Sequence, residues 1–310
     1  MEFKLTVLGT ASAMPVTERK QSAQVLQVHG RFFLIDCGEG TQTQLLLSHI
    51  PSMKIDTLLI SHIHGDHIFG LFPLLSTLGM KKRTAPLNVY APSSFGPVLK
   101  FFLSYFGEGI SYDIRFTPLN MKQPQVIYQT KKIAIEAFPL EHKIETFGFI
   151  VREKEPDLNI DKDALEKFHF TLEEIGTLKR GEDVVRDDEK LIIPASKVTY
   201  RPFKPRSYAY CSDTSVFPEE AAWVKGVDLL YHEATYLNEL EDQAASRHHS
   251  TAAQAATVAR EAGVGKLVLG HYSSRCRDKS LYEAEARAIF PESYAADDLD
   301  VFEVPLEKLR

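Results

Sequence analysis

The sequence predicts a layered α/β protein in which helices cover the outer faces of two sheets. Strand-like and helix-like segments alternate through the first 150 residues, and the alternation resumes after residue 206. A highly charged segment, residues 153–204, separates the two halves. With 310 residues, 44% of them hydrophobic, the chain can bury a sizeable core without disulfides. Repeated strand–helix units on both sides of an insertion favour a layered arrangement with two sheets.

The elements of the first half follow from short apolar runs that end at glycine or polar residues. Residues 41–49 have the pattern of a helix, and residues 68–80 have the length and leucine content of a buried helix. The predicted strands are residues 5–9, 31–37, 55–61, 87–91 and 133–138. The third of these strands leads directly into a cluster of histidines.

The second half is predicted in the same way, with strands at residues 207–212, 227–231 and 266–269. A helix is predicted to begin near Thr251, because Thr251 and Gln254 have the spacing of a capping box. Its apolar face consists of small side chains at helical spacing: Ala255, Val258, Ala259 and Ala262.

The inserted segment, residues 153–204, contains 13 acidic and 10 basic residues. Its apolar residues have no regular period, so we expect no hydrophobic core of its own. Two interpretations stay open: a solvated surface insertion, or a projecting arm that grips a large substrate. We therefore predict a single domain, residues 1–310, that carries an inserted arm at residues 153–204.

Charge and cysteine content narrow the class of protein. The net charge of -6 and the pI near 6.0 argue against a surface coated in basic residues, although a local basic patch is compatible with them. Cys37, Cys211 and Cys276 are widely spaced and odd in number, which predicts free thiols. The N-terminus resembles a strand rather than a signal peptide, and the longest apolar stretch, residues 68–75, is too short to cross a membrane. We expect a cytoplasmic protein without a membrane partner.

The residues that follow the strand at 55–61 predict a metal site. His62, His64, Asp66 and His67 lie within six positions, and imidazole and carboxylate are ligands suited to zinc or manganese. In an extended segment His62 and His64 point to the same side and can reach one ion. Gly65 would permit a sharp turn, after which Asp66 and His67 can address a second ion.

One such run cannot fill the coordination shells of two metals, so further ligands are needed. His142, Asp213 and His271 each follow a predicted strand, where loops converge on one edge of a layered sheet. A carboxylate is the natural bridging ligand, which singles out Asp213. The sequence therefore predicts a dinuclear site and a hydrolase.

These motifs resemble the metallo-β-lactamase superfamily and, within it, the ribonuclease Z family of tRNA 3′-processing endonucleases. The resemblance covers nearly the whole chain and implies a four-layer αβ/βα sandwich. The run from His62 to His67 indicates only the superfamily, whereas the HEAT and HST motifs are specific to the family. The resemblance is carried by Asp36–Gln42, Ser61–His67, Pro139–His142 with Gly148-Phe149, Ser212–Thr214, His232–Thr235, His249–Thr251 and Gly270–Arg275.

The resemblance implies a role for each matched residue. It assigns His62, His64 and His142 to one Zn²⁺ and Asp66, His67 and His271 to a second, with Asp213 between them; Mn²⁺ is an alternative metal. Asp66 would also orient and deprotonate the attacking water. His249, rather than His248, would protonate the departing 3′-oxygen, held by Glu233; otherwise His249 is a helix-entry residue.

The substrate implied by the resemblance is precursor tRNA, bound by a homodimer in which one subunit's arm serves the other's site. Candidate substrate contacts are Lys179 and Arg180 on the arm, Arg275 beside the last histidine, and Arg19 in an early loop. That loop reads Pro15-Val16-Thr17-Glu18-Arg19-Lys20 where the family has PxKxRN. A further candidate patch contains Lys197, Arg201, Lys204 and Arg206, interleaved with Tyr200, Phe203 and Tyr208.

Other hydrolases of the superfamily would share the metal ligands. A small-molecule phosphodiesterase or a thioesterase of the glyoxalase II kind needs no charged arm. A β-lactamase is disfavoured because the sequence has no visible secretion signal. A non-catalytic RNA-binding relative is disfavoured by the complete ligand set.

Overall fold

The computed structural model describes residues 2–186 and 190–309. Strands and helices are numbered in chain order. The first of two large sheets has seven described strands in the order β18-β1-β2-β3-β4-β5-β6. Its strands are β1 Phe3–Gly9, β2 Ala23–Val28, β3 Arg31–Ile35, β4 Ile55–Leu59, β5 Leu87–Pro92, β6 Ile114–Leu119 and β18 Val301–Glu303. Strands β3 to β6 run parallel to one another.

The second sheet also has seven described strands, in the order β17-β16-β15-β14-β9-β8-β7. They are β7 Gln125–Gln129, β8 Ile133–Pro139, β9 Phe147–Glu153, β14 Ser207–Cys211, β15 Leu229–Glu233, β16 Lys266–Gly270 and β17 Ser293–Ala295. Strands β14 to β17 are parallel, and their register pairs Glu233 with Gly270, the residue before His271.

The two sheets pack face to face over a shared apolar core that includes Leu5, Phe33, Phe149 and Tyr208. Helices α1 Thr41–Leu47, α3 Leu71–Met80 and α4 Phe95–Phe106 belong to the half that contains the first sheet, whose outer face holds a second core. Helices α8 Glu220–Trp223, α10 Ala252–Ala262 and α11 Ser280–Arg287 belong to the other half, which holds a third core. The predicted four-layer αβ/βα sandwich is confirmed.

The predicted helix at residues 68–80 begins later than expected. A short helix, α2 Gly65–Ile68, ends just before it, and α3 starts at Leu71. A Cβ at the intervening Gly70 would lie 1.9 Å from the Gly38 carbonyl oxygen, so two backbone segments meet closely there. The capping box predicted at Thr251 is confirmed, with both of its hydrogen bonds formed.

The inserted arm has a small apolar core, so the expectation of none is wrong. Its elements are β10 Asn159–Ile160, α5 Lys162–Phe168, α6 Leu172–Lys179, β11 Val184–Arg186, β12 Leu191–Ile193, α7 Ala195–Val198 and β13 Thr199–Tyr200. The core side chains are Ile160, Ala164, Leu178, Val184, Ile193, Ala195 and Val198. They come from six short elements, which explains why no single period revealed them. Part of the arm, residues 187–189, lies outside the described residues.

The predicted basic patch around residues 197–206 does not form as one surface. Arg206 is buried and pairs with Glu153 at 2.7 Å, while Tyr208 belongs to the core between the sheets. Arg201 pairs with Glu155. The remaining helix, α9 Glu241–Arg247, lies beside the HST motif. Within the described chain, no helix has the length and apolar character needed to cross a membrane.

Candidate metal centre

The predicted ligands lie together at one edge of the sandwich. His62 to His67 follow β4 of the first sheet, whereas His142, Asp213 and His271 follow β8, β14 and β16 of the second. The carboxyl ends of parallel strands share one edge of a sheet, and the ligands approach from both sheets there. The structure therefore brings together residues up to 209 positions apart.

One group of ligand atoms contains His62, His64, His142 and Asp213, all within 4.8 Å of one another. His64 Nδ1 lies 3.1 Å from His62 Nε2 and 3.4 Å from His142 Nε2. Asp213 Oδ2 lies 3.6 Å from His62 Nε2 and 3.9 Å from His142 Nε2.

A second group contains Asp66, His67 and His271. His271 Nε2 lies 3.3 Å from His67 Nε2 and 3.4 Å from Asp66 Oδ2. The other oxygen of Asp213, Oδ1, lies 3.3 Å from His67 Nε2 and 3.2 Å from His271 Nε2. Asp213 therefore directs one oxygen to each group, the arrangement expected of a bridging carboxylate.

Neighbouring acceptors fix the orientation of the imidazoles. Nδ1–H of His67 donates to Asp36 at 2.8 Å, and Nδ1–H of His142 donates to the His248 carbonyl at 2.8 Å. Nδ1–H of His271 donates to the Thr235 hydroxyl at 2.9 Å. With Nδ1 engaged, each ring directs the lone pair of Nε2 into the cluster, as metal-bound histidines do.

The charge of the site fits a divalent cation. Asp213 Oδ1 is buried and makes no hydrogen bond of normal geometry. Burial lowers the pKa of His67, but attraction to Asp213, Asp66 and Asp36 outweighs it and holds that pKa well above its usual range. The same negative field favours a metal ion in place of a proton. Burial is also the main reason that the pKa of His62 lies well below its usual range, which keeps this ring neutral and able to bind metal.

A histidine paired with a buried carboxylate stands beside the two ligand groups. His249 Nδ1 donates to Glu233 Oε1 at 2.8 Å, which leaves Nε2 free. Glu233 is fully buried and also accepts hydrogen bonds from the backbone N–H groups of Thr235 and Ser250. Burial lowers the pKa of His249, but attraction to Glu233 outweighs it and raises the pKa to about 9. His249 can therefore carry a proton at neutral pH.

The ligands open into a cleft of about 490 Å³. Lys143 and Arg247 from the second half line this cleft, as does Phe69 from the first. Neither Lys143 nor Arg247 makes an ion pair with a described residue. These three residues were not predicted from the sequence, although each lies within two positions of a predicted site residue.

The predicted substrate contacts lie elsewhere. Arg19 donates to the carbonyls of Ser273 and Cys276, so its guanidinium supports that loop rather than facing the cleft. Arg275 is exposed in the same loop. On the arm, Lys179 is exposed at the end of α6 and Arg180 pairs with Glu182 at 2.9 Å.

Two family models match the chain. The one described as Anti-Pycsar protein Apyc1 matches residues 3–171, and the one described as Beta-lactamase superfamily domain matches residues 200–272. Proteins named Ribonuclease Z are similar over nearly the full length. One from Bacteroides thetaiotaomicron is 40% identical and covers 95% of this chain and 93% of its own. Another, from Cytophaga hutchinsonii, is 40% identical and covers 98% of this chain and 97% of its own.

Solved structures share the architecture. The short form of human tRNase Z superposes with a TM-score of 0.70 at 26% identity, covering 97% of this chain and 99% of that one. The metallo-β-lactamase fold protein YhfI from Bacillus subtilis superposes with a TM-score of 0.69 at 18% identity, covering 98% of this chain and 100% of that one. At this identity the likeness extends to the fold only.

The four-layer fold and the histidine–aspartate cluster at its edge define a metal-dependent hydrolase of the metallo-β-lactamase superfamily. Within that superfamily, the proteins named Ribonuclease Z are similar to this chain over nearly its full length. The chain belongs to the ribonuclease Z family.

Proposed function

We propose that this protein is a zinc-dependent endoribonuclease that removes 3′ trailers from precursor tRNA. The products would be a 3′-hydroxyl on the tRNA and a 5′-phosphate on the trailer. The observation that carries the proposal is the Glu233–His249 pair beside two ligand groups that share Asp213. Relatives named Ribonuclease Z and the solved human tRNase Z support the choice of substrate.

The proposed metal content is two Zn²⁺ per chain, with Mn²⁺ as the alternative. His62, His64 and His142 would hold one ion and Asp66, His67 and His271 the other, with Asp213 shared. Seven ligands exceed one tetrahedral shell, which supports two ions. When bound, the metals supply Lewis acidity and lower the pKa of bound water to about 7.

The remaining chemistry belongs to the chain itself. Asp66 would orient the attacking water and accept its proton; the Ala13 N–H holds one of its oxygens at 2.6 Å. His249 would pass its proton to the departing 3′-oxygen, and Glu233 would offset the charge of the protonated ring. The burial of Glu233 strengthens that attraction.

Substrate would be held mainly through its phosphates. Lys143 and Arg247 are the best placed cations because they line the cleft itself. Lys179, Arg180 and Arg275 are proposed as more distant contacts, whereas Arg19 would act by supporting the loop that carries Arg275. RNA is recognised largely by shape and by phosphate and 2′-hydroxyl contacts, so these residues need not read sequence.

A homodimer in the cytoplasm is part of the proposal. Helix α4 exposes Phe101, Tyr105 and Phe106 by 60%, 71% and 61%. They adjoin a recess of about 410 Å³ that is lined only by apolar side chains. Exposed apolar surface of this kind marks an interaction site, and a second copy could present the same face across a twofold axis. The three free cysteines agree with a reducing compartment.

The alternative function is a small-molecule phosphodiesterase, which would use the same metal ligands but needs no charged arm. A thioesterase of the glyoxalase II kind would also share these ligands. The Glu233–His249 pair beside the ligands favours the endoribonuclease over both.

The test offers purified, zinc-loaded protein three substrates, each with and without chelator. We expect cleavage of a tRNA bearing a 3′ trailer at the trailer junction, abolished by chelator. Mapping the ends should give a 3′-hydroxyl and a 5′-phosphate. Rapid hydrolysis of a simple phosphodiester with no cleavage of precursor tRNA would support the alternative, and turnover of a thioester alone would overturn both.

A further inference from the structure

Phe69 is a mostly exposed aromatic side chain at the rim of the cleft. It is 62% exposed, although Ile68 before it and Leu71 after it are buried. Among the described residues it makes no ring–ring contact, unlike Phe72, whose ring packs at a tilt of 39° against Phe102 of α4. Phe69 therefore belongs to the cleft rather than to the aromatic face of α4, which is formed by Phe101, Tyr105 and Phe106.

The backbone beneath Phe69 is held rigidly. Its N–H donates to the Gly65 carbonyl at 2.8 Å, and the N–H of Gly70 donates to the Cys37 carbonyl at 2.9 Å. Gly70 also lies so close to Gly38 that no side chain fits between them. A rigid base keeps an exposed ring in one place and lowers the entropy lost when a ligand stacks on it.

Gly65 explains where the ring lies. The sequence predicted a sharp turn at Gly65, but the φ of Gly65 is not in the left-handed region, and this residue begins helix α2. A Cβ on Gly65 would lie 2.3 Å from Cε2 of Phe69. The missing side chain therefore lets the ring lie against the backbone between the ligands His64 and Asp66.

We propose that Phe69 is a stacking platform for the base of the first trailer nucleotide, immediately after the scissile phosphate. This inference rests on the proposed function. His249, which follows strands of the second sheet, would protonate the departing 3′-oxygen, so the last tRNA nucleotide lies toward that sheet. The trailer then lies toward the first sheet, where Phe69 stands beside Gly65.

The chemistry of the ring suits such a ligand. Single-stranded RNA is commonly bound by stacking its unpaired bases on aromatic side chains. Every base has a π face, so stacking tolerates trailers of any sequence. Stacking needs no polar side chain. A hydrocarbon ring that is so exposed contributes little to the stability of the fold through burial.

The experiment compares Phe69→Ala, Phe69→Tyr and wild type on three precursor tRNAs: an intact one, one abasic at the first trailer nucleotide, and one abasic at the last tRNA nucleotide. We expect Phe69→Ala to lose about ten-fold or more of kcat/KM on the intact substrate, and Phe69→Tyr to retain most of it. The loss of kcat/KM should disappear on the substrate that is abasic at the first trailer nucleotide. It should persist on the substrate that is abasic at the last tRNA nucleotide. Met80→Ala, which truncates another exposed apolar residue, is the matched control and should match wild type.

Each outcome separates the two proposals. If wild type does not cleave the intact precursor, the proposed function fails. If wild type cleaves it and Phe69→Ala is equally active, or shows the same loss on the trailer-abasic substrate, the stacking inference alone is overturned. A loss that disappears only when the last tRNA base is removed also overturns it. A folding defect would lower the activity of Phe69→Ala on all three substrates alike, so it cannot imitate the expected result.

Discussion

Asp36 illustrates how single residues prepare this site without being ligands. It is fully buried, has a left-handed backbone conformation with φ of 55°, and accepts hydrogen bonds from His67, Ser61 and Tyr210. Such a conformation costs a non-glycine residue about 1 kcal/mol or more and persists only where its surroundings hold it. Asp36 belongs to one of the family motifs, but the sequence predicted no role for it, because its hydrogen-bond partners meet only in the folded chain.

The proposed role of Asp66 predicts a loss of chemistry without a loss of binding. Asp66→Ala should lower kcat on every phosphodiester by at least about a thousand-fold, because both a metal ligand and the proton acceptor are removed. Affinity for tRNA should be nearly unchanged, since it comes from distributed phosphate contacts. Single-turnover cleavage, filter binding and zinc analysis measure the three quantities. Asp113→Ala, at an exposed position, is the control, and near-normal turnover at full zinc occupancy would contradict the assignment.

His232 of the HEAT motif predicts a pH-dependent contribution to stability. Its Nε2 lies 3.0 Å from Glu220 Oε1 and its Nδ1 2.7 Å from the Glu233 carbonyl, so both nitrogens face acceptors. Burial lowers the pKa of His232, but attraction to Glu220 outweighs it, and the pKa is raised. A raised pKa stabilises the folded state below the unfolded value of about 6.5, and this stabilisation is lost as pH rises through the folded value.

Glu220→Gln should therefore lower the free energy of unfolding by about 3 kcal/mol at pH 6, because it leaves a buried imidazolium without its partner. The difference in the free energy of unfolding between this variant and wild type should become smaller at alkaline pH. Urea denaturation at pH 6 and pH 9 measures both values. A difference that does not change with pH would show that His232 is neutral throughout.

At the scale of elements, the sequence predicted the helices, strands and motifs that have a regular hydrophobic period or an unusual composition. The capping box of α10 and the alternation of strands and helices depend on local patterns, and both were correct. The clustering of the predicted ligands could be foreseen because three histidines and an aspartate in six positions are unusual. The core of the arm could not, because its side chains lie on short elements that meet only in three dimensions. Lys143, Arg247 and Phe69 are common residue types, and nothing local distinguishes them.

The arm predicts a separation of substrate binding from chemistry. Asn159 pairs with Tyr200 at its base, so residues 159–200 can be replaced by a short Gly-Ser bridge that leaves the buried Glu153–Arg206 pair intact. We expect the variant to fold, bind zinc and hydrolyse a small phosphodiester within a few-fold of wild type. Cleavage of precursor tRNA should collapse, because remote contacts position a large substrate at the reacting centre. If the variant processed precursor tRNA as wild type does, the arm would be only a surface insertion with no role in substrate binding.

At the scale of the whole molecule, the aromatic face of α4 predicts the oligomeric state. Phe101→Glu combined with Tyr105→Glu should convert the proposed dimer to a monomer, because it would place charges in an apolar interface. Sedimentation velocity measures the change. Val301→Glu, at an apolar position of similar exposure on β18, is the control. A wild-type protein that sediments as a monomer at micromolar concentration would contradict the proposed dimer.

Metal removal should lower the stability of the whole sandwich, because ligands that bind only the folded state stabilise it by mass action. We expect chelator to lower Tm by several degrees and readdition of zinc to restore it. Hydrogen exchange should rise at the ends of β4, β14 and β16 and change little at their beginnings. An unchanged Tm after verified zinc loss would contradict this prediction, because it would mean that the unfolded chain binds zinc as tightly as the folded protein does.

Each of the two ligand groups takes residues from both sheets, and this has a consequence for the life of the chain in the cell. While the ribosome is still synthesising the second half, the nascent protein has His62 to His142 but lacks Asp213, Glu233, His249 and His271. Neither metal shell can close until those residues have emerged and the second sheet has docked on the first. Cleavage activity would therefore begin only with the finished fold, and an incomplete nuclease would pose no danger to the RNA around the ribosome that is making it.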